Sequence, residues 1–374
     1  MSALSRVGLA RRLYLAAPAW SAVVGILVLL VTALLVAAPR AADAAAAVEL
    51  RQGIAEVRGT DRDLAAQAPG ALHPAAGQAP GLSPEAAAVY GALDEQLSSL
   101  SGTAAPALRA RLGAVDYVLR TGTLTAPLRE VRSDVPIGSV RLAFDPRILD
   151  RVDVVAGEAP APATGEFSTD PVTQATLFPV DILMSAESAE TLGWEVGQSR
   201  IVRERNLEVR LTGVFEARDP DASVWQHVPS VLVPEYFDDG NAPPRATATV
   251  YVAPGSVEVL PGITNGSRLV AWFPFDADGI TLDEAQTTVA ELRRFTTQRA
   301  TVPALGDVSL RFSSGTLDAI ERVLARSDST AALLVLVGSG PLGVAGAVLG
   351  LAAHGVVTTR RPTLELAAAR GASP

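Results

Sequence analysis

Two long uncharged runs bracket a mixed interior in this chain. From Tyr14 to Ala38 there is no charged residue, and Leu15, Ala16, Trp20, Val23, Val24, Ile26 to Val31 and Leu34 to Val36 are apolar. At about 1.5 Å per residue, a helix of that length crosses a hydrocarbon core of about 30 Å. A second uncharged run, Ser329 to Val357, is also long enough to span. The pattern predicts transmembrane helices over 15–38 and 329–357. A buried core helix, or a cleaved signal sequence for the first run, are the competing readings.

Between the runs the period changes repeatedly. Val48, Leu50, Ile54 and Val57 recur at helical spacing within Ala41 to Arg58, which predicts a stalk continuing out of the first span. Ala, Pro and Gly crowd Ala66 to Pro84, a predicted loop. Ser83-Pro84-Glu85 then supplies an N-cap, a first-turn proline and an early carboxylate for a helix to about Leu100. A short helix is expected at Pro106 to Leu112.

Strands are expected at Val115–Leu119, Val140–Phe144, Val152–Val155, Phe178–Met184, Ser230–Val233, Ala246–Val252 and Ser267–Phe273. Ser199–Arg203 and Leu207–Phe215 read as a hairpin whose tip is the charged Arg203-Glu204-Arg205-Asn206. Ser185 caps a short helix ended by Gly193. Thr281-Leu282-Asp283-Glu284 is a capping box opening a helix to about Gln298, and the helical pattern from Thr316 to Ala325 leads into the second run. The interior is a large mixed α+β domain, with Trp225 and Trp272 expected in its core.

Charge gives these parts an orientation. Arg6, Arg11 and Arg12 precede the first run, and Arg360, Arg361 and Arg370 follow the second, so both termini are expected in the cytoplasm. The chain is then divided into a cytoplasmic N-terminus at 1–14, helix 15–38, an extracytoplasmic domain at 39–328, helix 329–357 and a cytoplasmic segment at 358–374. The net charge is -9 over 374 residues, and the two basic tails leave about -14 for the part between them, a poor surface for nucleic acid.

Missing residue types exclude several chemistries. There is no cysteine, hence no disulfide, thiol nucleophile or thiolate metal site. All 31 basic residues are arginine, so a P-loop ending in Gly-Lys-Ser or Gly-Lys-Thr cannot form. His73, His227 and His354 are too scattered for a zinc site. Asp276-Ala277-Asp278-Gly279 has the look of a calcium loop, but its glutamate position is Ala285. Neither a catalytic constellation nor a cofactor site is expected. In the second run Ser339, Gly343, Gly346, Ala347 and Gly350 place small residues at four-residue intervals, a face suited to close helix packing; a glycine-tolerant helix without a partner is the plainer reading.

The stretch Thr359 to Pro374 carries Arg360-Arg361, then Glu365-Leu366-Ala367 and Arg370-Gly371-Ala372. It resembles the cytoplasmic segment after the second helix of FtsX-like ABC transporter permeases. Leu192-Gly193-Trp194-Glu195-Val196-Gly197, and Leu211 to Phe215 followed by Arg218-Asp219-Pro220, resemble parts of MacB-type external domains. The order of helix, external domain, helix and cytoplasmic segment matches as well. The resemblance implies a permease subunit with a MacB-like periplasmic core, moved by a separate P-loop ATPase that docks on Arg360, Arg361, Glu365, Leu366 and Arg370. Its role would be export, lipoprotein or lipid release, or regulation of cell-wall enzymes. That family has at least four membrane helices per unit, so the resemblance also implies a truncated permease or a fragment, with further helices in cis or a second copy beside it in the bilayer. The alternative is a membrane-anchored extracytoplasmic receptor that works without an ATPase.

Overall fold

A computed structural model of the protein describes residues 18–128, 135–170, 173–260 and 266–326, and beyond these 329, 343–344, 346–348, 350–351 and 354. The chain divides into two compact units, Arg51–Ile320 on the one hand and Met1–Leu50 with Glu321–Pro374 on the other.

The smaller unit is helical wherever it is described. Helix α1 runs Pro18–Ala55 with no charged residue before Arg40. In its first half most described large apolar side chains are uncovered: Ile26 is 61% exposed, Leu29 68%, and Val28 and Val36 are exposed too, with Val31 half-buried; Leu50 and Ile54 near its end are fully buried. The same holds for Val344, Val348 and Leu351 in the later helical positions. Among the described residues no helix is long and apolar enough to cross a membrane. Residues 1–17, the side chains of 18–24 and most of 329–357 lie outside that description, so the two spans keep the standing of sequence expectations. Within this unit Arg326 donates to Glu49.

The larger unit is built on one mixed sheet. Its spine is formed by β1 (Leu64–Pro69), β2 (Asp116–Arg120), β4 (Ile137–Phe144), β5 (Val152–Gly157), β7 (Thr176–Ser185), β9 (Leu207–Ala217), β11 (Arg245–Val252) and β12 (Arg268–Phe273), in the order β1-β12-β2-β4-β11-β7-β9-β5. Short strands attach to it: β3 (Leu124–Thr125) on β4, β6 (Ser168–Thr169) on β7, β8 (Ser199–Val202) on β9 and β10 (Glu235–Phe237) on β11. Pairs β4–β11 and β7–β9 are parallel and the other pairs of this sheet antiparallel. Strand β9 alternates buried and wetter positions, as a strand with one face toward solvent must, whereas β11 and β12 are buried almost throughout because both of their faces are covered. One core layer sets Val118, Phe215, Tyr251, Val270 and Trp272 beneath Trp225, Val228 and Val231.

Local signals are realised where they were strong. Ser83 accepts from Ala86 N at 3.2 Å and starts helix α3 (Pro84–Thr103), after the short α2 (Gly59–Arg62). Thr281 and Glu284 form the reciprocal box at the start of the helix Leu282–Thr297. The charged tetrad is indeed a hairpin tip, closed by Asn206 at φ +51°. Two expectations fail and one element was missed. The predicted loop from Ala66 begins as strand β1, because pairing with β12 overrides the weak strand preference of alanine. Ser230–Val233 is not a strand: Ser230 has φ +61°, and a short helix, Val224–His227, precedes it. A small hairpin, β13 (Ala300–Val302) with β14 (Val308–Leu310), follows the capped helix and was not anticipated.

The stretch Leu192–Gly197 proves to be a turn, tied to β9 by the Gly197 N–H, which donates to Leu211 O at 2.7 Å. Gly193 and Gly197 adopt φ +55° and +89°, and Trp194 Nε1 donates to Gln198 O at 2.9 Å. Arg200 lies 4.2 Å from the Trp194 ring and donates to Leu192 O at 2.7 Å and Gly193 O at 2.9 Å. Burial lowers the Arg200 pKa to about 10; with no carboxylate beside it among the described residues, carbonyls and an aromatic face hold the charge.

Candidate functional site

The residues chosen from the sequence for ATPase coupling, Arg360, Arg361, Glu365, Leu366 and Arg370, lie outside the described residues, as does Ser339. Gly343, Gly346, Ala347 and Gly350 are helical and exposed. A Cβ placed on Gly343, Gly346 or Gly350 would meet nothing within 4 Å, so this stripe packs against no described residue.

In the larger unit three polar clusters converge that the sequence did not reveal. The first joins His227 to Asp63, Nε2 to Oδ2 at 2.9 Å, with both side chains almost fully buried. The imidazole stacks on Trp272, centroids 4.4 Å apart and 11° from parallel, and the other Asp63 oxygen accepts from Phe275 N and Arg62 Nε. This cluster ties the segment before β1 to the end of β12 and to the short helix of His227. It is a clasp, closed on all sides.

The second cluster is an ionic chain. Arg147 donates to Asp94 at 2.6 Å; its backbone N–H donates to Asp145 at 2.8 Å, and Arg151 bridges Asp145, at 2.8 Å, and Asp116. Burial raises the Asp145 pKa, against the pull of Arg151 and of the Arg147 N–H. Tyr90, Tyr117 and Tyr251 pack nearby, their hydroxyls pushed up chiefly by burial. The chain ends at a cavity of about 350 Å³ lined by Asp116, Arg151, Arg218, Asp219, Trp225 and Trp272. Here each guanidinium faces carboxylates: Arg218, for example, donates to Asp153 at 2.9 Å.

The third cluster is different in sign. Arg268 on β12 stands directly opposite Arg120 on β2, and Arg120 is opposite Ala143 on β4. Arg141, two residues before Ala143, shares its face of the sheet. On that face Val118, Val270 and Trp272 are covered by residues around Val228, and the arginines stand where the cover stops at Pro229. They line a cleft of about 380 Å³ in which, among the described residues, Glu235 is the one carboxylate. Arg141 donates to Thr123 at 3.1 Å, Ser230 at 3.0 Å and Glu235 at 3.0 Å. The bond from Arg141 is the main reason the Glu235 pKa is lowered. Burial first, then the charges of Arg141 and Arg268, lower that of Arg120. The Pro229–Ser230 wall is pinned to β11 by Thr249, whose N–H donates to Ser230 O and whose hydroxyl donates to Pro229 O, each at 2.7 Å.

No group of three or more His, Asp or Glu side chains fit for a metal ion converges among the described residues. Fold and clusters together define a mixed α/β domain held by buried ionic clasps and offering one basic cleft. No family model matches the chain, and no curated protein sequence does. Among solved structures it is similar to the periplasmic region of MacB from Actinobacillus actinomycetemcomitans, with 12% identity, 73% of this chain and 95% of that one covered, and a TM-score of 0.27. At that score the likeness carries no functional argument.

Proposed function

We propose that this chain is the membrane-embedded, mobile subunit of an ABC transporter of the FtsX/MacB type. Helices over 15–38 and 329–357 cross the cell membrane, both termini are cytoplasmic, and the acidic α/β domain works outside. A separate ATPase docks on Arg360, Arg361, Glu365, Leu366 and Arg370, and its closure on ATP shifts the helices. The work is then done by the external domain, in export, in release of lipoproteins or lipids, or in regulation of cell-wall enzymes.

The observation that carries this reading is the uncovered apolar helix surface. Ile26, Leu29, Val344 and Leu351 are all more than 60% exposed. Each large apolar side chain left in water forgoes about 1.5–3 kcal/mol, so a bilayer, further permease helices or a second copy has to cover them. The small faces of Gly343, Gly346, Ala347 and Gly350 suit the latter two. The alternative, an anchored receptor with no ATPase, has the basic cleft in its favour.

One experiment separates them. The full chain is purified from its own membranes in mild detergent and everything recovered with it is identified. A P-loop ATPase is the expected companion, and replacing Glu365 and Arg370 by alanine should uncouple its ATP hydrolysis from the function of the complex. Recovery without any ATPase, or coupling unchanged by both substitutions, overturns the transporter reading in favour of the receptor. Coupling also requires the ATPase to bind its two nucleotide states differently, since a partner shifts an equilibrium only by differential affinity.

A further inference from the structure

We infer that the cleft of Arg120, Arg141 and Arg268 is a binding site for a phosphate group. The inference does not depend on whether an ATPase drives the protein.

The register is the first argument. Side chains directly opposite in an antiparallel pair lie about 4.5–5.5 Å apart at Cβ, and like charges there are destabilising. Arg268 and Arg120 are such a pair. Among the described residues neither guanidinium has a hydrogen-bond partner. With Arg141 added and Glu235 subtracted, the cleft holds an excess of two positive charges inside a domain that is strongly acidic. An anion of two negative charges neutralises it, and planar guanidinium forks match the oxygens of phosphate.

The walls supply the second argument, because they are preorganised: Arg141 is fixed by Thr123, Ser230 and Glu235, and the Ser230 turn is held at φ +61° by its bonds to Thr249. Strained backbone of this kind persists where its surroundings over-determine it.

The phosphate has two possible sources, a water-soluble ester or a phospholipid headgroup, and the test distinguishes them. The full chain is placed in nanodiscs of neutral phosphatidylcholine, and its melting temperature is followed with glycerol 3-phosphate in solution or with phosphatidic acid in the disc. A saturable rise that weakens with salt is expected for one of the two probes, and whichever acts names the source. Arg268→Gln should weaken that binding at least about tenfold, the loss expected for a charge-assisted contact, whereas Arg210→Gln, in an exposed pair with Asp181, should not. Without ligand, Arg268→Gln should melt at or above the wild-type temperature, because it relieves the opposed charges. No rise with either probe, undiminished binding by Arg268→Gln, or a marked loss of stability in the unliganded variant overturns the inference.

Discussion

Replacing Arg151 by leucine is expected to cost about 3 kcal/mol near neutral pH and distinctly less in acid. The side chain of Asp145 is 2% exposed, and its charge is balanced by Arg151 at 2.8 Å and by the Arg147 N–H. Removing one member of a buried ion pair costs about 3–5 kcal/mol, because the remaining charge is stranded. The lower end applies here, since Arg151 itself is 18% exposed at a cavity that admits water, and the Arg147 N–H stays in place. At about 2–4 °C per kcal/mol for a domain of this size, melting should fall by about 6–12 °C.

The pH dependence separates this account from a simple packing defect. Burial already raises the Asp145 pKa, and Arg151 is the strongest opposing influence. Without Arg151 it rises further, each unit being worth about 1.4 kcal/mol. A carboxyl whose folded pKa lies above its unfolded one contributes stability that is fully present below the unfolded pKa and lost as pH rises through the folded pKa. The Arg151→Leu deficit should therefore shrink as the pH is lowered into the carboxylate range. Urea unfolding of the full chain, followed by tryptophan fluorescence across that range, measures it, and Asp145→Leu in the Arg151→Leu background should recover much of the loss. A deficit under about 1 kcal/mol, typical of an exposed pair, or one independent of pH, refutes the reasoning.

Three further outcomes follow from the packing. His227→Leu should destabilise by about 3 kcal/mol, since Asp63 stays buried with its imidazole gone; the unstacking of Trp272 should appear as a shift in its emission. Gly91→Ala should cost at least about 1–3 kcal/mol, seen as a lower melting temperature, because its new methyl would lie 2.3 Å from the Gly77 backbone, where the loop before α3 presses on that helix. Arg200→Met should lower stability by about 1–3 kcal/mol, since the carbonyls of Leu192 and Gly193 lose their donor; urea unfolding reads this directly.

What the sequence made legible was local. Ser83-Pro84 and Thr281-Glu284 announce their helices because the capping bonds run between residues three apart, and Gly193 and Gly197 announce a turn because their positive φ is a property of single residues. Strand β1 was hidden because Leu-Ala-Ala-Gln-Ala-Pro has little preference of its own and becomes a strand only against β12. His227 looked isolated because its partner Asp63 lies far back in the chain. The segment from Arg360 to Arg370, singled out by resemblance for ATPase coupling, lies outside the described residues.

The basic cleft shows why composition alone could not have found it. Every cation in this protein is an arginine, so no count separates a structural guanidinium from a binding one. The sheet does so. Arg147 and Arg151 sit beside Asp94, Asp145 and Asp116, and Arg200 is met by carbonyls and a ring, each as the desolvation of a fixed charge demands. Arg120 and Arg268 come from distant parts of the chain and are made neighbours by the order β12-β2-β4, where the fold sets them against each other. A glutamate at either position would have supplied a cross-strand ion pair without altering the strand. That two arginines stand there instead is best explained by a third charge, one that arrives from solution or from the lipid surface.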